Sequence, residues 1–155
     1  MASSGITILG STGSVGCSTL DVISRHPDRF HVVALTAHKE IELLASQCRQ
    51  FGARYAVASG PGMSGPLRTA LKSLNCTTKV VEGSEALEEV AGMDEADAVM
   101  AAIVGAAGLR PSLHAARRGK RLLLANKEAM VIAGELFTTA VQKNGAKIIP
   151  VDSEH

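Results

Sequence analysis

A chain of 155 residues, 46% apolar and 20% charged, is the size of one domain and can bury a full core. Its net charge of +1 provides no field that would draw it to nucleic acid or an anionic membrane, so neither partner is expected. The three cysteines, Cys17, Cys48 and Cys76, are odd in number, far apart and without a Cys-x-x-Cys pair, which argues for a reducing compartment and against a structural zinc.

Ile6–Leu9 is a short apolar run that reads as a strand. It ends in Gly10-Ser-Thr-Gly13-Ser-Val-Gly16, and Ser14–His26 follows as a helix with Val15, Leu20, Val22 and Ile23 on its apolar side. Pro27 and Asp28 stop it. A strand, a glycine turn and a helix form a dinucleotide-binding unit: glycines let backbone approach a diphosphate, and the helix N-terminus offers free N–H groups to the anion. The spacing is Gly-x-x-Gly-x-x-Gly rather than Gly-x-Gly-x-x-Gly, so a plain tight turn is the competing reading. The hydroxyls of Thr12 and Ser14 weigh against it, because they can join backbone N–H groups around a phosphate.

His31–Thr36 is a second strand of buried type. At its end an NAD-binding domain usually carries an acid for the ribose 2′-hydroxyl. Here stand Ala37-His38-Lys39-Glu40, in which Lys39 is suited to a 2′-phosphate and Glu40 argues weakly the other way. A solvated loop lysine is the alternative. Glu40–Phe51 has helical periodicity, Arg54–Ala58 is a third strand, and Ser59–Pro66 is a turn-rich loop before a helix over Leu67–Leu74. Thr78–Val81 is a fourth strand, and Ser84–Ala91 a helix with Ser84 as its expected cap.

Asp97–Val104 is a fifth strand, followed by Gly105-Ala-Ala-Gly108, where small residues leave room for a flat ring or serve tight packing. Helix Leu109–Arg118 ends at Gly119. Strand Arg121–Ala125 runs into Asn126-Lys127-Glu128, helix Ala129–Asn144 closes at Gly145, and Lys147–Val151 is the last strand. Strands alternate with helices on short connections, so the fold class is α/β: a Rossmann-like, doubly wound, mainly parallel sheet with helices on both faces, in a single domain. Ligands of such sheets sit outside the carboxyl ends of the strands. The glycine turn, Lys39, Gly105–Gly108, Asn126–Glu128 and Asp152–Glu154 all follow predicted strands, and that rim is the expected site.

At the rim, Asn126 and Glu128 suit a helix start, but Lys127 is a cation in a first turn that the dipole disfavours, and a ligand oxygen would explain it. Asp152 and Glu154, two residues apart, project to one side if extended and can share a hard cation, with a capping Asp152 as the alternative.

Four segments carry a family resemblance: Ile8-Leu-Gly-Ser-Thr-Gly-Ser-Val-Gly-Cys-Ser-Thr-Leu-Asp21, Met100-Ala-Ala-Ile-Val-Gly-Ala-Ala-Gly-Leu109, Leu122-Leu-Leu-Ala-Asn-Lys-Glu128 and Pro150-Val-Asp-Ser-Glu-His155. In this order and spacing they resemble the N-terminal domain of the 1-deoxy-D-xylulose 5-phosphate reductoisomerases. The resemblance implies that Thr12, Gly13, Ser14 and Val15 hold the NADPH diphosphate, Lys39 meets the 2′-phosphate, and Asn126 and Glu128 contact the nicotinamide side. It implies that Lys127 and Ser153 touch substrate, with Lys127 and Glu154 in catalytic roles. Asp152 and Glu154 would be two of three carboxylate ligands to Mn²⁺ or Mg²⁺, with Glu154 also against substrate.

The family rearranges 1-deoxy-D-xylulose 5-phosphate and reduces the product with NADPH to 2-C-methyl-D-erythritol 4-phosphate, a step of isoprenoid precursor synthesis. Of the family's Gly-Lys/Arg-Asn cofactor loop, only Lys39 carries over. On this reading residues 1–151 are the cofactor domain and 152–155 begin the catalytic region, and this chain alone is expected to bind cofactor without turnover. The full-length protein is expected to be a homodimer acting on a sugar phosphate, cytoplasmic in a bacterium or plastid in a plant or apicomplexan. No segment approaches a membrane span, and Met1–Gly5 is not a signal peptide. The alternatives are an aspartate-semialdehyde-type dehydrogenase domain and a free-standing nucleotide-sensing module.

Overall fold

The computed structural model describes residues 2–125 and 127–151, with Lys127 described in its backbone only. Seven strands, β1 (Ser4–Leu9), β2 (Phe30–Ala37), β3 (Tyr55–Ala58), β4 (Lys79–Val80), β5 (Ala98–Ala101), β6 (Arg121–Leu124) and β7 (Lys147–Pro150), form one sheet in the order β4-β3-β2-β1-β5-β6-β7. Every pairing is parallel. Six helices connect them: α1 (Ser14–Arg25), α2 (Ile41–Phe51), α3 (Ser64–Ser73), α4 (Ala86–Gly92), α5 (Leu109–Arg117) and α6 (Lys127–Asn144).

The strand order dictates where the helices go. From β1 to β4 the chain steps outward in one direction, and from β5 to β7 it steps in the other. Right-handed crossovers therefore place the two sets of helices on opposite faces. The two cores show it. Leu20 and Ile23 of α1, Leu44 and Cys48 of α2 and Leu67 and Leu71 of α3 pack with Ile6, Ile8, Ala98 and Met100. Val90 of α4, Leu113 of α5 and Phe137 of α6 pack with Leu9, Val99, Ala101 and Leu122 on the other face. Alternate residues of one strand thus serve different cores, as the two-residue period of a strand requires.

Several boundaries differ from the sequence expectation. α3 begins at Ser64, not Leu67, because Pro66 falls in a first turn, where a missing N–H costs nothing. Ser84 does not cap α4. Glu85 holds the cap position without a side-chain bond, and the N–H of Ala86 is taken by Gly83 O at 3.2 Å. β5 stops at Ala101, short of Val104, because its neighbours stop too: Leu9 and Leu124 are the last partners opposite Ala101. α6 starts at Lys127, ahead of Ala129, and departs from helical backbone at Ala133 (φ −130°, ψ 29°), beside Gly134.

Candidate functional site

Between β1 and β5 the chain changes direction across the sheet, and sheets of this kind form their ligand crevice at that switch point, outside the carboxyl ends of the strands. The Gly10 turn forms one wall. Gly10 has φ +82°, a left-handed conformation natural to glycine, and a Cβ there would stand 3.1 Å from the backbone of Ala102 in the loop after β5. The turn and that loop therefore lie back to back. Gly16 allows the second close approach, since a Cβ on it would stand 2.3 Å from Gly10 O and 2.5 Å from the Cα of Ser11. α1 is pressed directly onto the turn.

Gly13 is different. It is the N-cap of α1, is exposed, and its φ of −80° would suit any residue, while a Cβ would meet only Gly10 O, at 3.8 Å. Having no side chain, it leaves the first-turn N–H groups of α1 without side-chain capping. Thr12 is half-buried beside it, Ser14 is exposed, and Val15 packs against the α1–α3 core. The expected phosphate residues thus form a small open cradle, with the positive end of the helix dipole behind it.

A polar network under the turn holds this shape, and the sequence reading did not find it. Gly10 N–H donates to Thr36 Oγ1 at 2.8 Å, and Ser11 N–H donates to Thr36 O at 2.8 Å. Ser11 Oγ donates to Gln47 Oε1 at 2.8 Å, and Gln47 Nε2 donates back to Ser11 O at 2.9 Å. Thr36, Ser11 and Gln47 are all buried. Ser11 lies in the glycine motif, so a buried hydroxyl there was a usable signal. Gln47 gave none, since a glutamine in a helix usually faces water.

Lys39 stands exposed in the loop between β2 and α2, and among the described residues no carboxylate pairs with it. The loop after β3 supports its position: His38 Nδ1 is 3.2 Å from Ser59 Oγ, and Gly60 N–H donates to His38 O at 2.8 Å. Beside it lies a cleft of about 600 Å³ lined by His38, Ser59, Gly60, Ser64 and, from the loop after β5, Ala107. Gly105, with φ +76°, leads into a 3-10 turn at Ala106–Gly108, and a Cβ on Gly108 would stand 2.5 Å from Ile103 O, so Gly108 serves tight packing. A neighbouring cleft of about 740 Å³ between α4 and α5, lined by Glu88, Arg110, His114 and Arg117, shares Glu82–Ser84 with the first, and neither cleft is lined by residues of the Gly10 turn.

On the far side of the crevice, Ala125 N–H donates to Ala101 O at 3.1 Å and Val151 N–H to Leu124 O at 2.9 Å, so β6 and β7 finish side by side. Lys127 and Glu128 open α6, with Glu128 exposed. Asn126, Asp152, Ser153, Glu154 and His155 lie outside the described residues. Among the described residues there is no cluster of three metal-ligating side chains. No described helix is long and apolar enough to cross a membrane.

The model of the 1-deoxy-D-xylulose 5-phosphate reductoisomerase family matches residues 6–134, most of the chain. The chain belongs to this family. The reductoisomerase of Cellvibrio japonicus is 56% identical to it over 150 residues, and that of Proteus mirabilis 53%. Each alignment covers 97% of this chain and 38% of the relative, so the chain spans well under half the length of these curated relatives. The reductoisomerase from Zymomonas mobilis in complex with NADPH superposes with a TM-score of 0.92 at 44% identity, covering 99% of this chain and 40% of that one. A reductoisomerase in complex with NADPH, fosmidomycin and magnesium gives 0.92 at 41% identity, over 98% of this chain and 37% of its own. The homoserine dehydrogenase of Archaeoglobus fulgidus, 21% identical with a TM-score of 0.59, shares the fold alone. Family membership sets aside the aspartate-semialdehyde-type reading.

Proposed function

We propose that this chain is the NADPH-binding part of a metal-dependent reductoisomerase that converts 1-deoxy-D-xylulose 5-phosphate into 2-C-methyl-D-erythritol 4-phosphate. The observation that carries the cofactor reading is the uncapped N-terminus of α1 behind Gly13, opening on the crevice between β1 and β5. The donor set fits a dinucleotide. Backbone N–H groups of Gly13, Ser14 and Val15, with the Thr12 hydroxyl, take the diphosphate. Lys39 takes the 2′-phosphate, and the cleft between His38 and Ala107 takes the adenosine. Asn126 and Glu128, next to the end of β6, hold the nicotinamide side. Bound there, the cofactor supplies a hydride.

In this reading Lys127 and Ser153 orient the sugar phosphate, and Asp152 and Glu154 contribute two carboxylates to a Mn²⁺ or Mg²⁺ site, with Glu154 also facing substrate. Support comes from β6 and β7 ending next to one another, with Leu124 opposite Pro150, so that both motifs start from neighbouring strand ends. Residues 1–151 then form the cofactor domain and 152–155 open the catalytic region of an enzyme that is a homodimer in full length, cytoplasmic in a bacterium or plastid in a plant or apicomplexan.

The test uses the protein that carries this chain as its N-terminal part. NADPH oxidation that requires both 1-deoxy-D-xylulose 5-phosphate and Mn²⁺, and is lost in Asp152→Asn, is the expected result. Oxidation indifferent to that substrate would overturn the assignment.

A further inference from the structure

We infer that Gln47 is a positioning residue for cofactor binding, setting the shape of the diphosphate turn from beneath; the inference rests on the NADPH reading above. Gln47 sits on α2, past the rim-side start of that helix at Ile41, and is buried against Ser11 with 6% of the residue's surface exposed. Both polar atoms of its amide are used on the turn. Oε1 accepts from Ser11 Oγ at 2.8 Å, and Nε2 donates to Ser11 O at 2.9 Å. Nε2 also lies 3.7 Å from Cys17 Sγ in the second turn of α1, and Cys17 Sγ itself lies 3.6 Å from Ser11 O and 3.7 Å from Thr12 O.

One side chain thus fixes the peptide that joins Gly10 to Thr12 and braces it against α1. The direction in which the Thr12–Ser14 N–H groups point depends on that peptide. A buried reciprocal pair has one satisfied geometry, because leaving either atom unpaired costs the full desolvation of that group. Gln47 therefore acts on the diphosphate, which NADPH and NADH share, and not on the 2′-phosphate, which distinguishes them.

The test is Gln47→Met, nearly equal in shape and without either hydrogen bond, titrated with NADPH and NADH well below its unfolding temperature. Thr7→Val is the control, removing an equally buried bond, Thr7 Oγ1 to Val90 O at 3.2 Å, that has no connection to the turn. The expected result is that Gln47→Met raises both dissociation constants by about tenfold with their ratio unchanged, while Thr7→Val lowers the unfolding temperature and moves neither constant. Ser11→Ala, which keeps the Nε2 bond, shifts both constants in the same direction by less, and serves if Gln47→Met does not fold. Unchanged constants in a folded variant, or a shift for NADPH alone, overturn the inference and leave the cofactor reading standing. Failure of the unsubstituted chain to bind NADPH overturns both.

Discussion

Thr36, the penultimate residue of β2, accepts the N–H of Gly10 on its hydroxyl at 2.8 Å, so the end of one strand holds the first glycine of the turn that leaves its neighbour. Backbone of Thr36 also accepts from Ser11 N–H, at 2.8 Å, and the Ser11 hydroxyl lies 3.2 Å from the same carbonyl. The turn is thus bonded to β2 twice before any ligand arrives.

Replacing that hydroxyl isosterically, Thr36→Val, leaves a partly buried N–H without its acceptor. The expected loss is about 1–3 kcal/mol, read as a lower urea midpoint with an unchanged m-value. A change below a few tenths would mean that Gly10 finds water instead.

Gly13 and Gly16 separate ligand space from packing space. Gly13→Ala adds a Cβ that meets no protein atom closer than 3.8 Å, so the variant folds with stability within about 1 kcal/mol of the parent and binds NADPH more weakly. Gly16→Ala sets a Cβ 2.3 Å from Gly10 O and costs about 1–3 kcal/mol or more, because backbone must move. Thermal unfolding and NADPH titration of the two variants check the pair.

On the proposed reading, Lys39 carries the choice between the two nicotinamide cofactors. Lys39→Ala is expected to weaken NADPH by about tenfold and leave NADH within about twofold, an effect that shrinks with salt because the lysine is exposed. Titration of both cofactors at low and moderate salt measures it.

The cysteines differ in reach. Cys17 is exposed and Cys48 buried, so alkylation of the folded protein is expected to modify Cys17 and spare Cys48, as mass spectrometry after thiol labelling checks. Burial, and secondarily the nearby Cys76, pushes the Cys48 thiol up from 9.0 to about 12, with the Thr78 hydroxyl acting the other way. Below pH 9 folded and unfolded chains both keep this proton, so the contribution of Cys48 to stability is fully present. Between 9 and about 12 the unfolded chain releases it first, and that contribution falls as pH rises. The denaturant midpoint of the parent should fall relative to that of Cys48→Val over that range.

The inner strands were legible because buried parallel strands are continuous apolar runs, as in β1, β2 and β5, whereas β4 and β7 at the edges are short and partly exposed. What the sequence could not reveal involves pairs far apart in the chain. Ala102–Val104 is as apolar as the strand before it, but strands need partners, and only the assembled sheet fixes Leu9 and Leu124 as the last ones. Gln47 looks like a surface residue until α2 packs over the turn. The cradle of Thr12–Val15 and the position of Lys39 were readable because each follows from a local pattern: a turn, a helix start and a strand end. The distant partners that brace them, Thr36, Gln47 and Ser59, were not.

The central claim is that the rim binds NADPH, and calorimetric titration of NADPH and NADH into the 155-residue chain tests it most directly. Saturable NADPH binding is expected, with NADH about tenfold weaker, a difference of about 1.4 kcal/mol. Binding of neither nucleotide would contradict it.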